Sequence, residues 1–299
     1  MTYCIAMRLD QGLVFLSDSR TNAGVDQIST FRKMTVFERP GDRVLVAMTA
    51  GNLAISQAVR QVLAQPGDPS APSLWTAPTM LDVARLVGDA VRQVHARDAD
   101  ALRQFNVEFN VSMILGGQIG AERPRLFQIY AAGNFIEAQD EAPYIQIGEA
   151  KYGKPIVDRV VKTSTSLDEA AKCALISMDS TLRSNVSVGL PLDLLVYQAD
   201  ALRVTRFVQI DHSNQYFAMI RDTWGERLRQ VFQEIPDPHW AASQGCAALP
   251  RADQALAPAA FDAGRGQPMR VDPPAGPAPT QADGSLQTLA QARATGGMR

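Results

Sequence analysis

Thr2-Tyr3-Cys4-Ile5-Ala6-Met7-Arg8-Leu9-Asp10-Gln11-Gly12-Leu13-Val14-Phe15-Leu16-Ser17-Asp18 reads as a β-hairpin. Thr2 to Leu9 predicts one strand, Asp10-Gln11-Gly12 the turn, and Leu13 to Asp18 the returning strand. A second pair follows at Arg32 to Glu38 and Val44 to Met48, split by Arg39-Pro40-Gly41-Asp42. The run Val44 to Met48 is apolar on both faces, as in a strand covered on both sides. Beyond Gly51 the period changes. Ile55, Val59 and Val62 form one helical stripe, and Met80, Val83, Val87, Val91 and Val94 form another. Strands return at Val107 to Leu115, Leu126 to Tyr130 and Asn134 to Glu137. Ser166-Leu167-Asp168-Glu169 is a capping-box pattern that opens a helix with Leu167, Ala170, Ala174 and Met178 on one face. Strands at Asp193 to Gln198 and Leu202 to Ile210 precede a last helix through Phe217, Ile220, Trp224, Leu228 and Val231.

Short turns join consecutive strands, so the sheets are expected to be mostly antiparallel, and the helices must cover sheet faces to bury their stripes. The fold class is therefore α+β, and two face-to-face sheets with helices outside would satisfy every stripe. Pro236 to Arg299 breaks this pattern: 32 of those 64 residues are Pro, Ala or Gly, and six are Leu, Val, Ile or Phe. So little apolar surface cannot offset the entropy of ordering the segment. One folded domain over 1–242 and a disordered tail over 243–299 are expected.

Composition narrows the function. With 29 basic against 31 acidic residues the formal charge is -2, and the basic residues form no cluster, which argues against a nucleic-acid surface. No apolar run approaches membrane-spanning length, and no basic stretch leads into a signal-peptide core. Cys4, Cys173 and Cys246, like His95, His212 and His239, are too scattered for a metal spacing. No metal or cofactor and a reducing, cytoplasmic setting are expected. Cys4 and Cys173 read as small core fillers and Trp224 as the anchor of the last helix.

The chemistry concentrates at the N-terminus. Thr2 is small enough for the initiator Met1 to be removed, leaving a hydroxyl and a free α-amine on one residue. An α-amine titrates at about 7.7–8.0 and can serve as the base for the adjacent hydroxyl, so no histidine is required. A turn centred on Gln11 sets Thr2 opposite Ser19 or Arg20, with Asp18 a residue or two away. Lys33, at the start of the next strand, can reach the same spot; its ammonium would favour the alkoxide, and Asp18 would hold it charged. The competing reading makes Asp18 and Lys33 a structural ion pair at a sheet end. Arg20 is open between an ion pair with Asp18 and a substrate contact. Gly51, at a strand-to-helix junction, allows close backbone approach with donors at a helix N-terminus.

The stretch Thr2-Tyr3-Cys4-Ile5, with Asp18-Ser19-Arg20-Thr21-Asn22-Ala23-Gly24-Val25-Asp26 and Ile28-Ser29-Thr30-Phe31-Arg32-Lys33, resembles the bacterial proteasome-type proteases called Anbu, the ancestral beta subunit family. So do Thr49-Ala50-Gly51-Asn52-Leu53-Ala54, Gly148-Glu149-Ala150-Lys151-Tyr152-Gly153-Lys154-Pro155 and Ser184-Asn185-Val186-Ser187-Val188-Gly189-Leu190-Pro191-Leu192-Asp193. The resemblance covers about residues 2–240. It implies an N-terminal-nucleophile (Ntn) hydrolase with a four-layer αββα sandwich, and a threonine-type peptidase acting as a homo-oligomeric ring or spiral on a peptide or protein substrate. By the same resemblance Thr2 is the nucleophile, Asp18 and Lys33 support it, and the Gly51 N–H donates to the oxyanion. Proteasome β subunits carry Gly-Ser where this chain has Gly148-Glu149, and their Asp-x-x-Ser-Gly pattern reads Thr181-Leu182-Arg183-Ser184-Asn185, so Ser184 alone matches among those amine-orienting residues. ATP-grasp and transglutaminase-like proteins are implied as pathway partners, and the chain itself has no ATP-binding loop. A small-amide Ntn hydrolase and a non-enzymatic assembly scaffold are the competing functions.

Overall fold

Alternation along the first hairpin sets the layers. In the computed structural model, which describes residues 2–23, 27–65 and 71–238, β1 (Tyr3–Leu9) and β2 (Gly12–Asp18) pair antiparallel, with Leu9 opposite Gly12 and Cys4 opposite Ser17. Tyr3, Ile5, Met7, Val14 and Leu16 point to one face, and Cys4, Ala6, Leu13 and Phe15 to the other. Both faces are buried, so the strands read as continuous apolar runs.

The remaining strands are β3 (Arg20–Ala23), β4 (Gln27–Thr30), β5 (Met34–Arg39), β6 (Arg43–Gly51), β7 (Val111–Ile119), β8 (Arg125–Ile129), β9 (Phe135–Glu137), β10 (Tyr144–Gly148), β11 (Leu192–Gln198) and β12 (Arg206–Ile210). One five-stranded sheet runs β10-β1-β2-β11-β12 and a second runs β5-β6-β7-β8-β9, while β3 and β4 form a separate two-stranded hairpin. Every pairing is antiparallel. Between the two large sheets lies one apolar layer built from Phe15, Val46, Met48, Ile114, Leu126 and Tyr197. On the far side of the second sheet, α1 (Leu53–Ala64) and α2 (Met80–Gln104) cover Leu45, Met113 and Leu115 with Val59, Val83, Val87 and Val91. On the far side of the first, α3 (Lys154–Val160), α4 (Leu167–Ser184) and α5 (Gln215–Glu234) cover Ile5, Leu16 and Leu194. The result is the four-layer αββα sandwich that the resemblance implies. Each large side chain fully buried in it contributes about 1.5–3 kcal/mol of apolar transfer.

Local signals act as expected at several ends. Ser166 and Glu169 make both bonds of the capping box at the start of α4, and Thr79 accepts from the Asp82 N–H at the start of α2. Cys4 and Cys173 are buried. Three elements are absent from the sequence reading: the β3–β4 hairpin, β10 and α3. Two strands begin about four residues later than their apolar runs suggest, β7 at Val111 and β12 at Arg206. Trp224 is a further correction. It is half-buried, and Leu228 and Val231 are 50% and 53% exposed, so α5 gives only Phe217 and Ile220 to the core. A periodic stripe identifies an amphipathic helix but not how far the surface beneath it extends. All these elements fall in the unit Met1–Pro236, and the tail expected from Ser243 lies outside the described residues. Among the described residues no helix is long and apolar enough to cross a membrane.

Gly116 on β7 tests the inter-sheet packing, because a Cβ there would lie 2.8 Å from Phe15 Cζ and 3.0 Å from Leu126 Cδ1. Gly116→Ala should lower the unfolding free energy by about 1–3 kcal/mol in a urea titration. Phe15→Leu in the same chain should cost less than it does alone, since it vacates the clash. Additive losses would mean that the layer does not set the spacing of the sheets.

Candidate active site

The hairpin register carries Thr2 to the strand end opposite Ser19, one residue from Asp18. Asp18 Oδ1 accepts the Tyr3 N–H at 3.0 Å, and Asp18 Oδ2 accepts the Gly189 N–H at 3.4 Å. Lys33 sits just before β5, tied to β6 by the Thr49 N–H, which donates to its carbonyl at 3.2 Å. Its Nζ donates to Asp18 Oδ1 at 2.6 Å, with the lysine 7% and the aspartate 0% exposed. Burial pushes the Asp18 carboxyl up from its ordinary value, while the Lys33 charge and the two backbone donors pull it down.

Thr2 and Lys33 line a cavity of about 410 Å³, together with Gly51, Thr49, Phe31 and Arg20. Gly51 has φ of +105°, and a Cβ on it would lie 2.4 Å from the Asn110 carbonyl, so only glycine fits. The next residue, Asn52, caps α1 by accepting the Ala54 N–H at 2.9 Å. The N-terminus of α1, with its partial positive charge, therefore stands at the cavity wall. Gly148 is under the same constraint: φ is +83°, and a Cβ would lie 2.0 Å from the Thr2 carbonyl. That carbonyl accepts the Glu149 N–H at 2.7 Å, which fixes Thr2 to β10 as well as to β2.

Thr2, Asp18, Lys33 and Gly51 are thus brought to one place. Ser184 is not: it is the exposed last residue of α4 and does not line the cavity. Its neighbour Asn185 is the residue that turns inward, and its Nδ2 donates to Glu149 Oε2 at 2.9 Å. Glu149 is 8% exposed, with Lys151 Nζ 3.9 Å from the same oxygen. Sequence pattern alone favoured the serine; the signal for Asn185 is its place as C-cap of α4, where the helix turn ends and the side chain changes direction. Arg20 forms no ion pair with Asp18. Its Nη1 donates to the Val186 carbonyl at 2.9 Å, and its guanidinium lies against Gly189.

A hydroxyl, a buried lysine paired with its aspartate and a helix N-terminus on one cavity form a site suited to acyl transfer. Among the described residues no group of His, Cys, Asp and Glu is placed to hold a metal ion.

No family model matches the chain. No curated protein matches it either. Solved structures do. The structure described as Anbu (ancestral beta-subunit) from Yersinia bercovieri is 51% identical, covers 80% of this chain and 100% of its own, and superposes with a TM-score of 0.75. Anbu from Hyphomicrobium sp. strain MC1 is 49% identical over 80% of this chain and 100% of its own, with a TM-score of 0.73. The structure described as the helical assembly of the Anbu complex from Pseudomonas aeruginosa is 47% identical over 81% of this chain and 100% of its own, with a TM-score of 0.77.

Removing Lys33 would leave a buried carboxylate without its countercharge, a change that costs about 3–5 kcal/mol. Lys33→Met should lose about that much stability in denaturant at neutral pH, and Asp18→Asn with Lys33→Met should recover most of it. In the single variant burial keeps the Asp18 proton on in the folded state, whereas the unfolded chain ionises it near 3.9. The folded value is the higher, so stability is full below about pH 4 and falls as the pH rises towards neutral. Stability that rises over that range, or a single variant as stable as the double, would contradict the pairing.

Proposed function

The chain belongs to the Anbu (ancestral beta-subunit) family, and from that premise we propose that it is a proteasome-like threonine peptidase that works as a homo-oligomer. Removal of Met1 leaves Thr2 with a free α-amine beside its hydroxyl. The amine takes the Oγ proton as Oγ adds to the substrate carbonyl, so nucleophile and base reside in one residue. The Lys33 ammonium lowers the cost of charge on Oγ, and Asp18 holds Lys33 in place. The oxyanion that forms meets the Gly51 N–H at the start of α1. Collapse breaks the peptide C–N bond, and the departing amine takes the proton held by the Thr2 ammonium. A water, deprotonated by the same amine, then cleaves the Thr2 ester and restores the hydroxyl. Glu149, held by Asn185, stands where proteasome β subunits carry a serine; Ser184 has no part in this reading.

What carries the proposal is the 2.6 Å Lys33–Asp18 pair buried on the wall of the cavity that Thr2 lines. A purely structural pair would not need a hydroxyl residue, a left-handed glycine and a helix N-terminus on the same cavity. Self-association is supported by the helical assembly of the Pseudomonas aeruginosa relative. It is supported also by exposed apolar side chains at the end of α5, with Phe232 in its last turn at 77% and the C-cap Ile235 at 62% exposure.

The test has two parts. Intact mass of the purified protein should show Met1 absent, and an electrophilic peptide should add its mass to Thr2. Thr2→Ala should abolish that adduct and lower peptide turnover by at least about 1,000-fold while leaving the melting temperature unchanged. Turnover that survives in Thr2→Ala would sink the mechanism.

A further inference from the structure

We propose that the cavity receives an acidic side chain on the residue that supplies the attacked carbonyl, and that Arg20 selects it. The proposal rests on the reading of Thr2 as nucleophile. A carbonyl between Thr2 and the Gly51 N–H places the side chain of its own residue inside the cavity, since both groups lie on the cavity wall.

Charge decides what that side chain should be. Among the described residues two cationic side chains, Arg20 and Lys33, line the cavity, and no Asp or Glu does. Lys33 is neutralised by Asp18 at 2.6 Å. Arg20 is not neutralised: its one described hydrogen bond goes to the uncharged Val186 carbonyl, and no carboxylate among the described residues lies within ion-pair reach. Arg32, nearby in sequence, contrasts with it, paired to the buried Asp193 at 3.3 Å. Behind the cavity wall Arg60 adds to the field. Its guanidinium lies 5.2 Å from the centre of the Phe31 ring, and its Nη1 donates to Thr35 Oγ1 at 3.2 Å, again without a carboxylate among the described residues. The neighbouring carboxylates are engaged elsewhere, Asp18 by Lys33 and Glu149 by Asn185 and Lys151. A recessed site with unpaired positive charge raises the local concentration of anionic groups.

Arg20 is also held in position. Gly189 allows the guanidinium to approach the chain closely, where a Cβ would come within 2.1 Å of Nε. Among the described residues only one N–H of the planar fork is engaged, on Val186, and a carboxylate can accept two such donors in parallel. A pre-placed side chain loses little freedom on binding, which sharpens the preference.

Four N-acetyl tripeptide epoxyketones that differ only in the last residue, Glu, Gln, Leu or Lys, test this by the rate of Thr2 modification in intact mass. The Glu probe should react about tenfold faster than its isostere Gln, the equivalent of one charge-assisted contact. Arg20→Gln should bring the Glu-to-Gln ratio to about one, and Arg20→Lys, which keeps the charge without the fork, should leave an intermediate ratio. A Glu-to-Gln ratio near one in the unaltered protein, or one that persists in Arg20→Gln, overturns the proposal while Thr2 labelling stands. If no probe modifies Thr2, calorimetry with the matching peptide amides on the Thr2→Ala protein separates the two failures. Arg20-dependent preference for the Glu peptide would then retain the acidic pocket and reject the nucleophile; equal binding of Glu and Gln peptides would reject both.

Discussion

A carboxylate stripped of water must be paired on all sides, and Asp18 is where this chain meets that demand. Its two oxygens gather the Tyr3 N–H from β1, the Gly189 N–H from the segment before β11, and Lys33 from the link into β5. Three stretches far apart in sequence are thereby fixed to one point, and two of them belong to different sheets. Misplacing any one leaves a buried charge short of a partner, at a cost comparable to a large part of a domain's net stability. The pair is therefore a constraint on assembly of the fold before it is anything chemical.

The rest of the site follows from how strand ends meet that point. β1 lies between β10 and β2, so Thr2 is gripped on both sides: its carbonyl by the Glu149 N–H, and the next residue's N–H by Asp18. Such closeness is possible because Gly148 has no side chain. A substituent there would collide with the Thr2 carbonyl, and one at Gly51 with Asn110. Two left-handed glycines thus bound the cavity on the β10 and β6 sides, and the cap of α1 begins one residue beyond the second.

Much of this was legible in the residues, for reasons that also mark the limit. The first hairpin could be registered by counting, since a tight turn fixes all pairs and the side-chain period of two leaves no freedom. Counting from Gln11 set Thr2 opposite Ser19 or Arg20 and so near Asp18, and the observed pairing of Cys4 with Ser17 selects Ser19. β10 was not legible because Tyr144-Ile145-Gln146-Ile147 is a short alternating run whose partner, β1, lies over 130 residues away, and pairing at that distance leaves no local mark. The β3–β4 hairpin is mostly polar in sequence and belongs to neither large sheet, so no alternating apolar stripe marks it. Asn185 was passed over for Ser184 because a motif match fixes positions along the chain but not the direction in which a helix end releases its side chains.

An N-terminal nucleophile changes what a fold has to deliver. A serine with a histidine base requires two side chains from separate segments to meet at hydrogen-bond distance and stay there. Under the proposed mechanism Thr2 carries both groups on one residue, so the requirement shifts from aligning two side chains to immobilising one strand end. The four-layer sandwich suits that task, because it buries β1 on both faces and flanks it on both edges. Cation placement remains for the surrounding chain to settle, and the two cavity cations are placed under opposite rules. Lys33 is buried and must be neutralised by Asp18, whereas Arg20 is half-buried against Gly189 and can keep its charge available at the cavity wall. One charge is bound to the scaffold and the other lines the cavity, so under the two proposals chemistry and selection rest on different residues and can vary independently.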